Sequence, residues 1–159
     1  MKRKPTLFGV CFLVVTACSS APQQKVSVAP APEVLEPGNL PPQNLEPSEC
    51  GLFLWTQGTP RRFIFFSRAA SGRAIAMLDA GKQEDLTLAA QRGDLFGQFM
   101  TEMDYAMPGE KIVSLRLTPG ESVEGGQKIS SGRIELLDVG GWSTIIPVVG
   151  LRACQPDPE

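Results

Sequence analysis

From Cys50 to Cys154 the chain is cut into short apolar segments by glycine and proline, and this spacing restricts the fold more than any other feature. The segments read CGLFLW, RRFIFFSR, RAIAML, EDLTLAA, QFMTEMDYA, EKIVSLRL, GRIELLD and STIIPVVGLRAC. Turn residues separate them, as in TQGTP, AASG, PGE, TPGE, EGGQ and VGG. Apolar runs recurring every 8 to 12 residues or so between such turns are the pattern of short strands. Several alternate: Val113, Leu115 and Leu117 fall on one face, Ser114 and Arg116 on the other. Phe63 to Phe66 is apolar at every position, which predicts a central strand covered on two sides. The stretch GKQEDLTLAAQRGDLFGQF is ambiguous: beside a strand it could hold one short helix around 83–93, ended by Gly93. The resulting fold class is all-β, a small antiparallel β-barrel or sandwich of about eight short strands. Pro147 belongs at an edge or a bulge, and Trp142, after two glycines, is expected to cap an end.

The amino-terminal 20 residues read MKRKPTLFGVCFLVVTACSS. Lys2, Arg3 and Lys4 precede an apolar run from Leu7 to Val15. A helix of about nine residues rises only about 14 Å, half the hydrocarbon core, so the run reads as a signal peptide and not a membrane span. Val15-Thr16-Ala17-Cys18 resembles the bacterial lipobox. That resemblance implies cleavage after residue 17, diacylglycerol on the Cys18 thiol and an N-acyl chain on the new amino terminus. Several acyl chains, at about 0.8 kcal/mol per buried CH₂, make anchoring stable. In Gram-negative lipoproteins an Asp after the cysteine favours the inner membrane. Ser19 stands there, which implies the outer membrane and its periplasmic face in a Gram-negative host. The alternative is an ordinary secretory signal cut near Ala17 or Ala21, with Cys18 incidental.

With Cys11 in the leader and Cys18 lipidated, Cys50 and Cys154 are the pair left to form a disulfide in an oxidising compartment. The alternative is two buried free thiols. Residues 18–49 are rich in Pro, Ser, Gln and Glu, and seven of the chain's 14 prolines lie within residues 22–47. Such a segment buries too little to offset its ordering entropy and reads as a disordered tether. The domain plan is therefore a signal peptide (1–17), a tether (18–49), a β domain (50–154) and a short tail (155–159).

Composition excludes several functions. Without the three basic residues of the leader the chain holds 12 basic and 17 acidic residues, a net −5. A body of that charge lacks the cationic footprint for nucleic acid. The chain contains no histidine, which removes the usual general base and the commonest zinc ligand. No metal, phosphate loop or cofactor is expected beyond the acyl chains. Glu102 and Asp104 share a strand face with Tyr105 opposite, the weak outline of a carboxylate pair; a solvated strand face is the simpler reading. Arg61, Arg62, Arg68 and Arg73 lie close in sequence to Trp55, Phe63, Phe65 and Phe66. They read either as contact anchors or as charges flanking a strand.

Ser71-Gly72-Arg73 and Ser130-Ser131-Gly132-Arg133 are candidate contact loops. They resemble, over a few residues, the Ser-Gly-x-x-Tyr loop of the membrane-bound inhibitors of C-type lysozyme, small lipoproteins with an eight-stranded barrel. Neither segment has the tyrosine, and the single Tyr105 lies elsewhere. The leading expectation is a non-enzymatic interaction module of the envelope, held by its lipid anchor and touching an envelope protein or the cell wall. The resemblance implies a second, an inhibitor or small-ligand barrel.

Overall fold

The structure, a computed structural model, describes residues 36–79, 81–137 and 139–157. Cys18 and the segment up to residue 35 lie outside the described residues. Eight strands follow in order: β1 (Cys50–Thr56), β2 (Phe63–Arg68), β3 (Arg73–Asp79), β4 (Lys82–Phe96), β5 (Phe99–Met107), β6 (Lys111–Val123), β7 (Gly126–Leu137) and β8 (Ser143–Cys154). Each apolar segment of the sequence supplies one strand. Each strand pairs antiparallel with the next, and β8 returns to β1, so the sheet is a closed barrel and not a sandwich. The closing ladder runs from Cys50↔Cys154 to Thr56↔Val148. The disulfide, the β2–β3, β4–β5 and β6–β7 turns mark the lower end; the other four turns mark the upper end.

An eight-stranded barrel is just wide enough for side chains to fill it. Leu52, Leu54, Phe65, Met103, Val113, Leu115, Ile134 and Val148 line this one with little or no solvent exposure. Ser67 is the one buried polar residue among those described. Its hydroxyl lies 3.1 Å from that of Tyr105, which points inward as the alternation of β5 requires. Burial pushes the Tyr105 phenol up, against a smaller lowering by Ser67.

No helix forms at 83–93. Those residues belong to β4, where Leu86 pairs with Ala74 of β3 and Leu88 with Tyr105 of β5. Helix-favouring residue types yield here to the two ladders the barrel needs to close. Gly93 does take the left-handed φ of a helix stop, +83°. It uses it in a bulge between Arg92 and Leu95, where Asp94 N–H donates to the Thr101 hydroxyl at 2.9 Å. Beyond the bulge, Phe96 and Phe99 are buried with the barrel interior. Gly97 sits so close to Arg152 that a Cβ there would meet its guanidinium at 2.8–2.9 Å.

The tether reading fails for residues 36–49, which pack along the outer wall of β1, β2 and β3. Leu40 is 2% exposed and joins Leu45 over Phe53, Trp55, Phe63, Phe66, Ile75 and Met77. Gly38 N–H donates to the Met77 carbonyl (3.1 Å) and Leu40 N–H to the Phe63 carbonyl (2.7 Å). The Phe63 N–H donates to the Asn39 side chain at 2.9 Å. A bulge between Leu54 and Trp55 lets β2 keep Phe63 and Phe66 outward while Ile64 and Phe65 join the interior. The wholly apolar strand is therefore covered on both faces, and its outer cover comes from these 14 residues. Pro147 lies one residue beyond the last β1–β8 pair, so its missing N–H removes no bond from that ladder.

Candidate functional site

The cysteine pair forms as expected: Cys50 and Cys154 are directly opposed on β1 and β8, joined by a disulfide. Arg152 donates to the Cys154 sulfur at 3.1 Å.

The two candidate contact segments differ in kind. Ser71-Gly72-Arg73 occupies the β2–β3 turn and the start of β3 at the lower end. Gly72 is left-handed at φ +61°, and the Ser71 hydroxyl accepts from Arg73 N–H at 3.1 Å. Ser71 and Arg73, with Gln43, Arg68, Asp85 and Thr87, line a depression of about 450 Å³. Ser130 to Arg133 is not a loop. It lies within β7, across the bulge where the β7–β8 register shifts between Ile129 and Gly132. The Ser130 hydroxyl donates to the Thr118 carbonyl at 3.0 Å. Gly132 packs so tightly that a Cβ would meet Leu117 at 2.8 Å and the Arg116 carbonyl at 2.9 Å. The strand order places these segments on separate parts of the wall, so they form no common site.

Glu102 and Asp104 face outward on β5, near Arg92 of β4 and Arg116 of β6, which are the register partners of Glu102; Asp104 is opposite Ala90 and Ser114. Asp104 accepts from Arg92 at 2.5 Å and lies 3.5 Å from Arg116. Glu102 lies 3.7 Å from Arg92 and 3.4 Å from Arg116. Burial raises the Asp104 carboxyl, but hydrogen bonds from Arg92 and Ser114 and the charges of both arginines outweigh it and hold it below the usual carboxylate range. The arrangement is a cross-strand ion network, and it keeps Asp104 charged instead of poising it as an acid.

The arginines near the aromatic residues divide by task. Arg62 donates to the Pro37 carbonyl and Arg68 pairs with Glu49, so both fasten the covering segment. Arg68 also donates to the Asn44 carbonyl at 2.9 Å and lies 5.4 Å over the Phe66 ring. In a closed barrel they have no strand edge to flank. Arg61 is exposed and lines a groove of about 910 Å³ on the outer wall. Its floor is Trp55, Val149 and Leu151, and its rim includes Glu121 and Lys128, which pair with each other. Bulges in β6 around Pro119 bend the β6–β7 ribbon and make this part of the wall concave. The sequence reading passed over Val149 and Leu151. The signal was the run IIPVVGL, apolar on both faces like β2 but with no covering segment among the described residues. Trp142 does not cap the barrel: it stands 64% exposed in the β7–β8 turn.

Among the described residues no group of three His, Cys, Asp or Glu gathers to hold a metal, and no helix is long and apolar enough to cross a membrane. Fold and wall together define an up-and-down antiparallel barrel with a side-chain-filled interior and its concavities outside. No family model, curated protein or solved structure matches the chain.

Proposed function

We propose that the protein is a lipoprotein anchored through Cys18 to the outer membrane, facing the periplasm, where it acts as a non-enzymatic interaction module of the envelope. The anchor rests on the register of Lys2-Arg3-Lys4, the apolar run and Val15-Thr16-Ala17-Cys18. The observation that carries the module reading is the groove over Trp55, Val149 and Leu151. With the barrel's centre occupied by its own side chains, recognition falls to the outer wall. An apolar floor ringed by Arg61, Glu121 and Lys128 has the make-up of a contact surface with a polar rim. The carboxylates best placed for catalysis are tied to two arginines, which supports a non-catalytic role.

The test is complementation of a deletion strain. Val149→Asp with Leu151→Asp is expected to leave the protein level unchanged and to reproduce the deletion's loss of envelope integrity. Full rescue by this variant, or a deletion with no envelope defect and no cross-linked partner, overturns the reading.

A second reading is favoured by one observation: Ser71-Gly72-Arg73 forms a tight turn at a barrel end beside a depression. It makes the turn a plug for an enzyme cleft, as in the lysozyme inhibitors. Titrating C-type lysozyme with the protein decides it, since unchanged hydrolysis rates eliminate the inhibitor role.

A further inference from the structure

Five large apolar side chains are exposed among the described residues, and four of them belong to one hairpin. Leu137 is 43% exposed at the end of β7, Val139 73% and Trp142 64% in the turn, and Ile145 55% near the start of β8. The fifth, Leu95, lies at the opposite end of the barrel. On its β8 side the β7–β8 hairpin runs past β1: the β1 ladder stops at Val148, Gln57 N–H still donates to the Pro147 carbonyl at 2.9 Å, and Ser143 to Ile146 pair with β7, while β6 flanks β7 as far as Leu137. Leu137 and Ile145 share the outer face, two positions apart across the ladder. The structure thus presents a convex tip of one indole and three aliphatic side chains.

We propose that this tip inserts into the headgroup region of the bilayer that holds the lipid anchor, and so sets how the barrel stands on the membrane. This rests on the anchor reading above. Three observations choose a bilayer over a protein. The first is where the chain leaves the barrel. Pro37, Gly38 and Leu40 are bonded to Arg62, Met77 and Phe63, all at the upper end, which is also the end bearing the β7–β8 turn. The 18 residues from Cys18 to Leu35 reach no more than about 65 Å, and the described chain leaves the barrel at the end that bears the tip. The second is composition. Residues 134–145 contain no Lys or Arg and two acids, Glu135 and Asp138. Attraction is therefore apolar and needs no anionic lipid, and tryptophan is the residue that best suits the boundary of headgroups and chains. The third is size. Four side chains on a convex tip fall far short of the roughly 20–30 residues a side of a stable protein interface, but a shallow wedge needs only about 5–10 Å of depth.

The test uses the full lipidated chain in phosphatidylcholine vesicles. The chain has two tryptophans, so Trp55→Phe leaves Trp142 as the sole emitter. Flotation reads the anchor, and quenching reads the tip. Trp142 is expected to be quenched by lipids brominated on the acyl chain and shielded from aqueous iodide, with little change between low and high salt. Val139→Asp with Ile145→Asp is expected to reduce the lipid-quenched fraction about tenfold or more, because carboxylates enter this region poorly. Both positions are exposed, and an unchanged thermal midpoint shows that the variant is folded. If the chain floats with vesicles while Trp142 stays open to iodide and silent to brominated lipid, the inference is wrong and the anchor stands. If the chain does not float, the anchor reading falls and the tip's role falls with it. A photoreactive residue at Val139 that labels a protein in cells instead of phospholipid also overturns the inference.

Discussion

At the scale of single residues, the barrel interior holds a small polar cluster: the Tyr105 and Ser67 hydroxyls lie 3.1 Å apart, the Ser67 hydroxyl donates to the Arg73 carbonyl at 3.2 Å, and the Tyr105 hydroxyl to the Met103 sulfur at 3.7 Å. Tyr105 is the chain's only tyrosine, so its titration can be read without interference. Burial raises its folded-state value above the ordinary phenol value near ~10. For an acid shifted upward, the unfolded chain ionises first. Stability is therefore unaffected below about pH 10 and falls as pH climbs between the unfolded and folded values. Tyr105→Phe is expected to cost about 1 kcal/mol at neutral pH, the usual net worth of one hydrogen bond. Above about pH 10 the variant should close the gap as the wild type weakens. Denaturant midpoints from neutral to strongly alkaline pH, with tyrosinate absorbance, check this; two parallel curves would contradict it. That Tyr105 faces inward and Glu102 and Asp104 outward follows from a period of two and is plain in the sequence. The partners of the two acids were not, since Arg92 and Arg116 lie on other strands and only the register brings them together.

At the scale of elements, the eight strands were legible because turn residues punctuate the apolar runs, although the TPGE expected as a turn lies inside β6 as a bulged stretch. Two misreadings have definite causes. Gly93 signals a left-handed φ in either a helix stop or a strand bulge, and the residues around it favour helix. Choosing correctly requires knowing that β3 and β5 each need a partner. In residues 36–49 the aliphatics are sparse, but Leu40 and Leu45 alone suffice where a preformed aromatic wall receives them. The composition of the segment shows what it cannot bury by itself and is silent about a neighbouring surface. It follows that the cover is an element of the domain. Leu40→Ala should destabilise the fold by about 2–5 kcal/mol, the range for a buried leucine. It should also open the wall beneath, so the red shift of Trp55 emission and dye binding are expected to rise together while far-UV dichroism stays unchanged. A variant as stable as the wild type would mean that the segment merely rests on the wall.

At the scale of the whole molecule, seven of the eight strand pairings join neighbours in sequence and one, β8 to β1, spans the whole domain. The disulfide crosses that one pairing, at a sequence separation of 104 residues. The cysteine positions, at the first and last apolar segments, already pointed to a staple between the ends. That the staple closes a barrel and does not join two sheets depends on the twist and register of all eight strands, which no local pattern states. The interior cluster draws side chains from every strand, so closure has two independent supports, a packed core and a covalent link. Removing the link should therefore weaken the barrel without opening it. Cys50→Ala with Cys154→Ala is expected to cost about 2–5 kcal/mol, lowering the thermal midpoint by roughly 10–30 °C with the strand content intact. Reduced wild type should behave alike. Because the β1–β8 ladder alone loses its covalent support, amide exchange should accelerate most in Gly51 to Trp55 and in Val149 to Ala153, and least at the β4–β5 and β5–β6 ladders. An even acceleration over all eight strands would show that the disulfide acts on the unfolded chain alone, and loss of strand content would show that core packing cannot hold the seam.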